Sequence, residues 1–262
     1  MSRTRPQTTH ATLHFEHEVM GTVVTFDLYR AAGLSREDLE TRLVRSVATL
    51  DEADTVFSTW KPDSALSRLR HGTISLGEAP PDVAEVLAEC KDTKHLSGGW
   101  FDPWAVPGGV DPTGYVKGWA TQRALGHLVD AGLDGAMINA AGDIASFGGP
   151  GRDTSFRVGI VNPASPLQLA CAVELRGALA TSGTYERGSH LVNPFTGVHE
   201  TRVASASVTG PDLGVADALA TALCVGGDEV LAIIEHLAHY EAFIIGHDGH
   251  RQWTSDFAFA PL

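Results

Sequence analysis

Alternating hydrophobic and polar positions predict two strands at the start of the chain, within residues 13–29. Leu13 and Phe15 alternate with polar residues in the first strand, and Val24, Phe26 and Leu28 do so in the second. Met20-Gly21-Thr22 lies between the two runs or opens the second one. The pattern therefore predicts a pair of strands joined around a short turn.

Helical segments follow the two strands. Ser35 with Asp38 resembles a capping box, and hydrophobic residues then recur at helical spacing up to Leu50. Residues 57–69 are rich in turn-forming residues and lead into a short helix. Pro81 is typical of a helix start, and the apolar spacing after it predicts an amphipathic helix.

The second half of the chain alternates irregular, helical and strand-like segments. Glycines, prolines and aromatic residues interleave over residues 97–118, which excludes regular structure over that whole length. A helix is predicted from Val116 to Ala131, where Gly132 ends it. Further helices are predicted after Gly214 and near Asp228–His239, and short strands at Ala136–Asn139, Phe156–Val161, Ala170–Leu175, Val203–Val208 and Ala242–Ile245. The order of elements predicts an α+β fold without an internal repeat.

Composition narrows the class of protein. The 262 residues are 43% hydrophobic, which is enough for a substantial core, and no apolar run approaches the roughly 20 residues of a membrane span. A formal net charge of −13 opposes binding to nucleic acid or to an anionic membrane surface. An anionic substrate would need a local site or a metal ion to offset this charge.

The termini and cysteines give expectations about location. Residues 1–12 are polar and lack the apolar segment of a secretory signal, so we expect a flexible tail on a single domain spanning 13–262. Cys90, Cys171 and Cys224 are widely spaced, which favours reduced thiols over a disulfide framework or a zinc site. We therefore expect a cytoplasmic protein. Whether it forms a homodimer is left open.

Asp217 and Thr221 form the first candidate for chemistry. They stand four residues apart in an alanine-rich run without interior glycine or proline, so a helix would place their oxygens on one face. One carboxylate and one hydroxyl on a single turn suit a hard cation. On local grounds alone, capping of the helix start is the better explanation of the two residues.

Four polar clusters are predicted in loops or at element ends, where functional groups concentrate. The Gly99–Pro103 loop offers aromatic rings to a flat heterocycle, although such loops more often plug the edge of a core. The stretch from Asp111 to Gly118 enters a helix, and its backbone N–H groups with Lys117 could hold phosphates. Asn139–Ile144 offers a tight turn, in which Asp143 could be no more than a turn former.

The fourth cluster runs from Thr181 to Tyr185 and continues through His190 to an Asn193-Pro194 turn. A histidine with an ordinary pKa of about 6.5 suits proton transfer near neutrality. The alternative is a structural histidine that ties down this turn. Both interpretations of His190 stay open on the residues alone.

Taken together, the clusters resemble the FAD:protein FMN transferase family, also called the ApbE family. The matching blocks follow one another in the order of the family over nearly the whole chain: Met20-Gly21-Thr22, Phe57-Ser58 to Leu69, Gly99–Pro103, Asp111 to Gly118, Asn139–Ile144, Thr181-Ser182-Gly183, His190 to Gly197 and Ala216 to Leu223.

The resemblance implies a T-fold-like α+β architecture, with mixed or antiparallel sheets packed against helices. It implies Mg²⁺-dependent transfer of FMN from the substrate FAD to a Thr or Ser hydroxyl of an acceptor flavoprotein, with release of AMP. Asp217, Thr221 and the backbone carbonyl of Gly114 would bind Mg²⁺, and His190 would act as the base with Asp217 in the catalytic site. Residues lining the FAD site would be Met20, Trp60, Trp100, Phe101, Asp102, Asp111, Lys117 and Leu191.

Three features depart from the family pattern. Asp102 and Asp111 are only nine positions apart, where relatives carry a longer segment. Ala141 replaces the first glycine of the usual Gly-Gly-Asp and should restrict the backbone there. Many relatives are exported lipoproteins, whereas this sequence shows no export signal, so its acceptor would be cytoplasmic. Two alternatives share the site: an FAD pyrophosphatase that yields FMN and AMP, and a non-catalytic flavin-binding protein.

Overall fold

The structure is a computed structural model that describes residues 12–30, 35–129, 131–151, 153–183 and 191–262. The described helices are α1 Arg36–Phe57, α2 Ala65–Arg70, α3 Pro81–Leu96, α4 Thr113–Gly126, α5 Leu213–Gly226 and α6 Asp228–Ile234, with a 3₁₀ turn at Leu76–Glu78. The described strands are β1 Thr12–Val19, β2 Thr22–Arg30, β3 Leu133–Ala140, β4 Asp143–Gly148, β5 Phe156–Asn162, β6 Ser165–Leu175, β7 Ala178–Gly183, β8 Ser205–Gly210, β9 Glu241–Ile245, β10 Arg251–Trp253 and β11 Phe259–Ala260.

The strands form two antiparallel sheets. Eight strands make the larger sheet in the order β1-β2-β3-β4-β7-β8-β9-β10, and three make the smaller one in the order β11-β6-β5. Alternate residues of one strand enter different cores: Ala178 and Ala180 of β7 belong to the main core with the helices, whereas Leu179 belongs to a second core with β5 and β6. The larger sheet is therefore the middle layer, between the helices and the smaller sheet.

Helix α5 lies at the centre of the main core. Nearly all of its residues are buried, and Asp212 caps its start by accepting a hydrogen bond from the N–H of Val215 at 2.8 Å. Helix α4 crosses it closely at Gly118, where a Cβ would overlap the backbone of Leu213. The absence of a side chain at Gly118 thus lets the two helices meet backbone to backbone.

Several predicted elements are confirmed. The Met20-Gly21 turn joins β1 and β2, and both of its residues have positive φ, at 52° and 70°. Ser35 caps α1 by accepting a hydrogen bond from the N–H of Asp38 at 3.1 Å. Pro81 is the first residue of α3. The predicted fold class, helices with antiparallel sheets, is also confirmed.

The boundaries of other elements differ from the prediction. Helix α4 begins at Thr113 rather than Val116 and ends at Gly126 rather than Ala131. Strands β4 and β7 were not predicted, because each is short and rich in small or polar residues and is defined by its neighbours in the sheet. Residues 1–11 of the predicted tail lie outside the described residues.

Candidate active site

Asp217 and Thr221 lie inside α5 and not at its start. Asp212 is the capping residue, so the alternative in which Asp217 and Thr221 cap the helix is wrong. Asp217 is almost fully buried, with 5% of its surface exposed, and Thr221 is half-buried one turn further along. A carboxylate held in the main core requires polar or charged partners.

The partners of Asp217 come from α4 and β4. Its Oδ2 accepts a hydrogen bond from the N–H of Gly118 at 3.3 Å, and its carboxyl group contacts that of Asp143. Burial, and next the negative charge of Asp143, raise the pKa of Asp217 well above its ordinary value, while Lys117 acts in the opposite direction. Asp217 thus binds a proton more tightly than an exposed aspartate does.

Asp143, which is absent from the predicted site residues and could be no more than a turn former on its sequence, lies next to Asp217. It is the first residue of β4 and is fully buried. One carboxylate oxygen accepts a hydrogen bond from the N–H of Thr181 at 3.2 Å, and the other forms an ion pair with Lys117. Within β4 the two-residue period places Asp143 on the same face as the core residue Ala145, but this short strand has no local pattern from which that position could be predicted.

Ala141 occupies the turn that leads into Asp143. It has φ of 51°, so it adopts the left-handed conformation, and the following Gly142 has φ of 93°. The side chain of Asn139 supports the turn by accepting a hydrogen bond from the N–H of Gly142 at 2.8 Å. The alanine therefore keeps the tight turn, although this conformation is less favourable for it than for glycine.

Residues of β7 and α4 lie close to the hydroxyl of Thr221. Its Oγ1 lies 3.4 Å from the hydroxyl of Ser182 on β7, and a Cβ on Gly114 of α4 would lie 3.2 Å from the same Oγ1. A regular helix directs the N–H of residue 118 at the carbonyl of residue 114, and that N–H also reaches Asp217. The three predicted metal ligands, Gly114, Asp217 and Thr221, are thus close together.

The chemistry of these donors suits a small hard cation. Among the described residues, Asp143 and Asp217 bring two negative charges to this cluster when both are ionised, and Lys117 brings one positive charge. Within the described residues, no group of three or more His, Cys, Asp or Glu side chains is arranged to bind a metal ion. A cation here would depend on mixed donors, namely one carboxylate, one hydroxyl and one backbone carbonyl, a set that Mg²⁺ accepts.

The predicted FAD residues on the Gly99–Asp111 segment differ in exposure. Trp100 is buried, packs edge to face with Phe195 at 4.8 Å and has the guanidinium group of Arg202 over its ring at 4.8 Å. Phe101 is buried beside Gly114. Asp102 forms an ion pair with Lys94 at 2.6 Å. Both aromatic rings are therefore buried, and Phe101 lies beside the predicted metal ligand Gly114.

Asp111 joins this segment to α4. One of its carboxylate oxygens accepts a hydrogen bond from the N–H of Thr113 at 3.1 Å, and the other pairs with Arg70 at 3.3 Å. Its own N–H donates to the carbonyl of Pro103 at 2.9 Å, which closes the loop between them. The short segment between Asp102 and Asp111 is thus a compact closed loop that leads directly into the helix carrying Gly114.

Three other predicted residues differ in exposure, and a fourth is not described. Met20 is half-buried in the β1–β2 turn, Leu191 is half-buried against the main core, and Trp60 is 94% exposed between α1 and α2. His190 lies outside the described residues. A cavity of about 470 Å³ between α1 and α4 contains none of the predicted site residues.

Known proteins resemble this chain in sequence and in fold. The sequence profile of the ApbE family matches residues 20–108 and 104–244. This chain belongs to the ApbE family. A protein of Rhodobacter capsulatus named FAD:protein FMN transferase is 38% identical over 130 residues, which are 46% of this chain and 24% of that protein. One of the same name from Vibrio cholerae is 24% identical over 95% of this chain and 92% of its own length.

Solved structures of ApbE proteins share the fold. The flavin transferase ApbE of Vibrio cholerae has a TM-score of 0.80 at 22% identity, over 95% of this chain and 98% of that one. The apo flavinyl transferase ApbE of Pseudomonas stutzeri has a TM-score of 0.79 at 21% identity, over 96% and 98%. The predicted family is confirmed, and the enzyme names of these ApbE relatives support the prediction of an enzyme.

Three predictions concern the location, the assembly and the boundary of the ApbE domain. None of the helices in the described ranges is long and apolar enough to cross a membrane. The cytoplasmic location, the homodimer and the single-domain boundary at residue 13 stay predictions.

Proposed function

We propose that the protein is an FAD:protein FMN transferase that moves FMN from FAD to a Thr or Ser hydroxyl of an acceptor protein and releases AMP. The observation that carries the proposal is the buried Asp217, held beside Thr221 and Gly114 and next to the ion pair of Asp143 and Lys117. A buried carboxylate of this kind is costly to the fold and is typical of functional sites.

Asp217, Thr221 and the carbonyl of Gly114 would hold Mg²⁺. A bound divalent cation would neutralise charge on the FAD diphosphate and so assist attack at phosphorus. The chain's part is to present these oxygens in a fixed arrangement, which the close contact between α4 and α5 at Gly118 supports. The positive charge of Lys117 would offset the repulsion between the carboxylates of Asp217 and Asp143.

FAD would lie over the start of α4 and the Gly99–Asp111 segment. In the first turn of α4, the N–H of Thr113 donates to Asp111 and those of Tyr115 and Val116 donate to the carbonyl of Pro112, so phosphate oxygens would have to compete with these acceptors. The carboxylates of Asp102 and Asp111 can accept hydrogen bonds from sugar or amino groups. Lys117 pairs with Asp143, so we assign it to the carboxylate cluster first and to phosphate binding second.

The bond changes follow from the reactants. The acceptor hydroxyl oxygen bonds to the phosphorus of the FMN half, the P–O bond of the diphosphate breaks, and AMP leaves with its electron pair. The hydroxyl proton passes to a base, for which His190 is the candidate by its family position. In hydrolysis, water would replace the hydroxyl and free FMN would form.

A direct test mixes the protein with FAD, Mg²⁺ and candidate acceptor proteins, followed by a denaturing gel viewed for flavin fluorescence. We expect a covalently fluorescent acceptor band that EDTA and Asp217→Ala both abolish. Asp212→Asn is the matched control, because it changes an aspartate of the same helix that only caps its start. FAD binding and FMN release that persist unchanged in both EDTA and Asp217→Ala would refute the metal-dependent mechanism.

Measurement of AMP separates the alternatives. Release of AMP only when an acceptor is present supports transfer, whereas rapid release without an acceptor supports the pyrophosphatase. FAD binding with neither product would indicate the non-catalytic flavin-binding protein.

A further inference from the structure

Arg70, the last residue of α2, is bound to the short loop that precedes α4. Its guanidinium group donates to the carbonyl of Gly108 from Nε at 3.2 Å, to Asp111 Oδ2 from Nη1 at 3.3 Å and to the carbonyl of Pro107 from Nη2 at 3.5 Å. Only 16% of the side chain is exposed. One side chain therefore contacts three acceptors spread over five residues of the loop.

The aliphatic part of Arg70 packs against the same loop. A Cβ on Gly109 would lie 3.7 Å from both Cβ and Cγ of Arg70, and one on Gly108 would lie 3.0 Å from its Nη2. Both glycines have positive φ, at 87° and 104°, so the loop approaches the arginine in a conformation that other residues rarely adopt. Side chain and loop are thus fitted to each other in shape and in hydrogen bonding.

Arg70 itself is firmly anchored. Leu66 of α2 is fully buried in the main core, and Ser64 caps the helix by accepting a hydrogen bond from the N–H of Ser67 at 3.0 Å. The hydroxyl of Ser64 also donates to the carbonyl of Ser58 at 2.7 Å. Because α2 is fixed to the core, Arg70 holds the loop in a fixed position relative to the core.

The loop that Arg70 contacts leads into the candidate site. Asp111, which pairs with Arg70, accepts a hydrogen bond from the N–H of Thr113, and Gly114 follows directly. We propose that Arg70 is a positioning residue that holds the Pro107–Asp111 loop against α2 and so orients Asp111 and the first turn of α4 for FAD. The proposal rests on the proposed function, because it concerns the FAD side of that same site.

The planar guanidinium group is needed for this role, and not the positive charge alone. Arginine presents five N–H donors in a fixed plane, whereas the ammonium group of lysine acts as a single point charge. Arg70→Lys should therefore keep the attraction to Asp111 and lose contacts with the two carbonyls. Arg68 is the matched control, since it lies on the same helix and is exposed to solvent.

The first test measures kinetics. We expect Arg70→Gln to raise the KM for FAD by about tenfold, because the loop would no longer be held in position for FAD binding. The kcat should stay within about twofold of wild type, because Asp217 and Thr221 on α5 are unchanged. Arg70→Lys should raise KM by at least about threefold. Arg68→Gln should match wild type. Full restoration of KM by lysine, or an unchanged KM in Arg70→Gln, overturns the proposal.

The second test needs no FAD. Chymotrypsin cleaves after aromatic residues, and Trp104, three residues before the Pro107–Asp111 loop, is 44% exposed. We expect cleavage after Trp104, identified by mass spectrometry of the fragments, to be at least about fivefold faster in Arg70→Gln than in wild type or Arg68→Gln. Equal cleavage rates overturn the proposal, as does faster cleavage combined with an unchanged KM.

A double-mutant cycle tests whether Asp111 is the partner of Arg70. Arg70→Gln and Asp111→Asn should have non-additive effects on melting temperature, since each removes the same ion pair, and additive effects overturn the pairing. If the wild-type protein neither binds FAD nor transfers FMN, the proposed function fails. In that case, the rates of chymotrypsin cleavage and the double-mutant cycle still decide whether Arg70 holds the loop. If Arg70→Gln does not fold, Arg70→Lys with Arg68→Lys as control provides the same comparisons.

Discussion

Replacement of Asp217 by asparagine should stabilise the cation-free protein, and the gain should grow with pH. The carboxyl group of Asp217 is buried and contacts that of Asp143, so its pKa is raised above the ordinary 3.8. An acid with a raised pKa contributes its full stability below the ordinary value and loses that contribution as the pH rises through the raised value. Asparagine does not ionise, so the variant avoids this loss.

The size of the gain follows from the charges. Two like charges about 4 Å apart repel by about 4 kcal/mol at an effective dielectric constant of about 20. Lys117 offsets part of this repulsion, and the amide of asparagine can donate a hydrogen bond to Asp143. We expect a net gain of about 1–3 kcal/mol near pH 8, which corresponds to a rise in Tm of about 2–10 °C for a chain of this size.

The assay is thermal unfolding in EDTA at several pH values between about 5 and about 8. Asp212→Asn is the control, because asparagine caps a helix about as well as aspartate and the change lies outside the carboxylate cluster. Addition of Mg²⁺ should raise the Tm of wild type and of this control, but not that of Asp217→Asn. A lower Tm for Asp217→Asn at every pH, or a difference that does not grow with pH, would refute the reasoning.

Other predictions test the helix contact, the cation site and the thiols. Gly118→Ala should lower the free energy of unfolding in urea by about 2–4 kcal/mol, because its Cβ would overlap the backbone of Leu213, whereas Gly126→Ala in the same helix meets no atom within 4 Å and should stay within about 1 kcal/mol of wild type. Thr221→Val should abolish the Mg²⁺-dependent rise in Tm, and Thr221→Ser should retain it; equal behaviour of the two would exclude the hydroxyl as a ligand. Cys90, Cys171 and Cys224 are buried, and burial raises the pKa of Cys224 to about 12. The native protein should therefore not react with a thiol reagent near pH 8, whereas the unfolded protein should react at all of these cysteines.

Local signals account for the parts of the fold that the sequence predicts well. Ser35 and Asp38 meet within one helical turn, and Met20 and Gly21 form a two-residue turn, so neighbouring residues determine both features. Strand β4 could not be found in this way. It is identified by its pairing with β3 and β7, and β7 begins more than thirty residues further along the chain.

The candidate site shows the same division. The spacing of Asp217 and Thr221 predicts a shared helix face, and the family resemblance adds Gly114 from a distant helix. Burial of Asp143 depends on contacts with Lys117 and Thr181, which belong to separate elements, so its local sequence suggests only a turn. Long-range contacts also explain why Trp100, expected beside a flavin, packs against Phe195 and Arg202.

Gly118 combines two requirements in one residue without a side chain. Its missing Cβ permits the contact with Leu213, and its N–H donates to Asp217. In a cell, a substitution there would lower the abundance of the folded protein as destabilised molecules are degraded. A loss-of-function variant at Gly118 would therefore lower the quantity of enzyme in addition to any change at the carboxylate that the residue contacts.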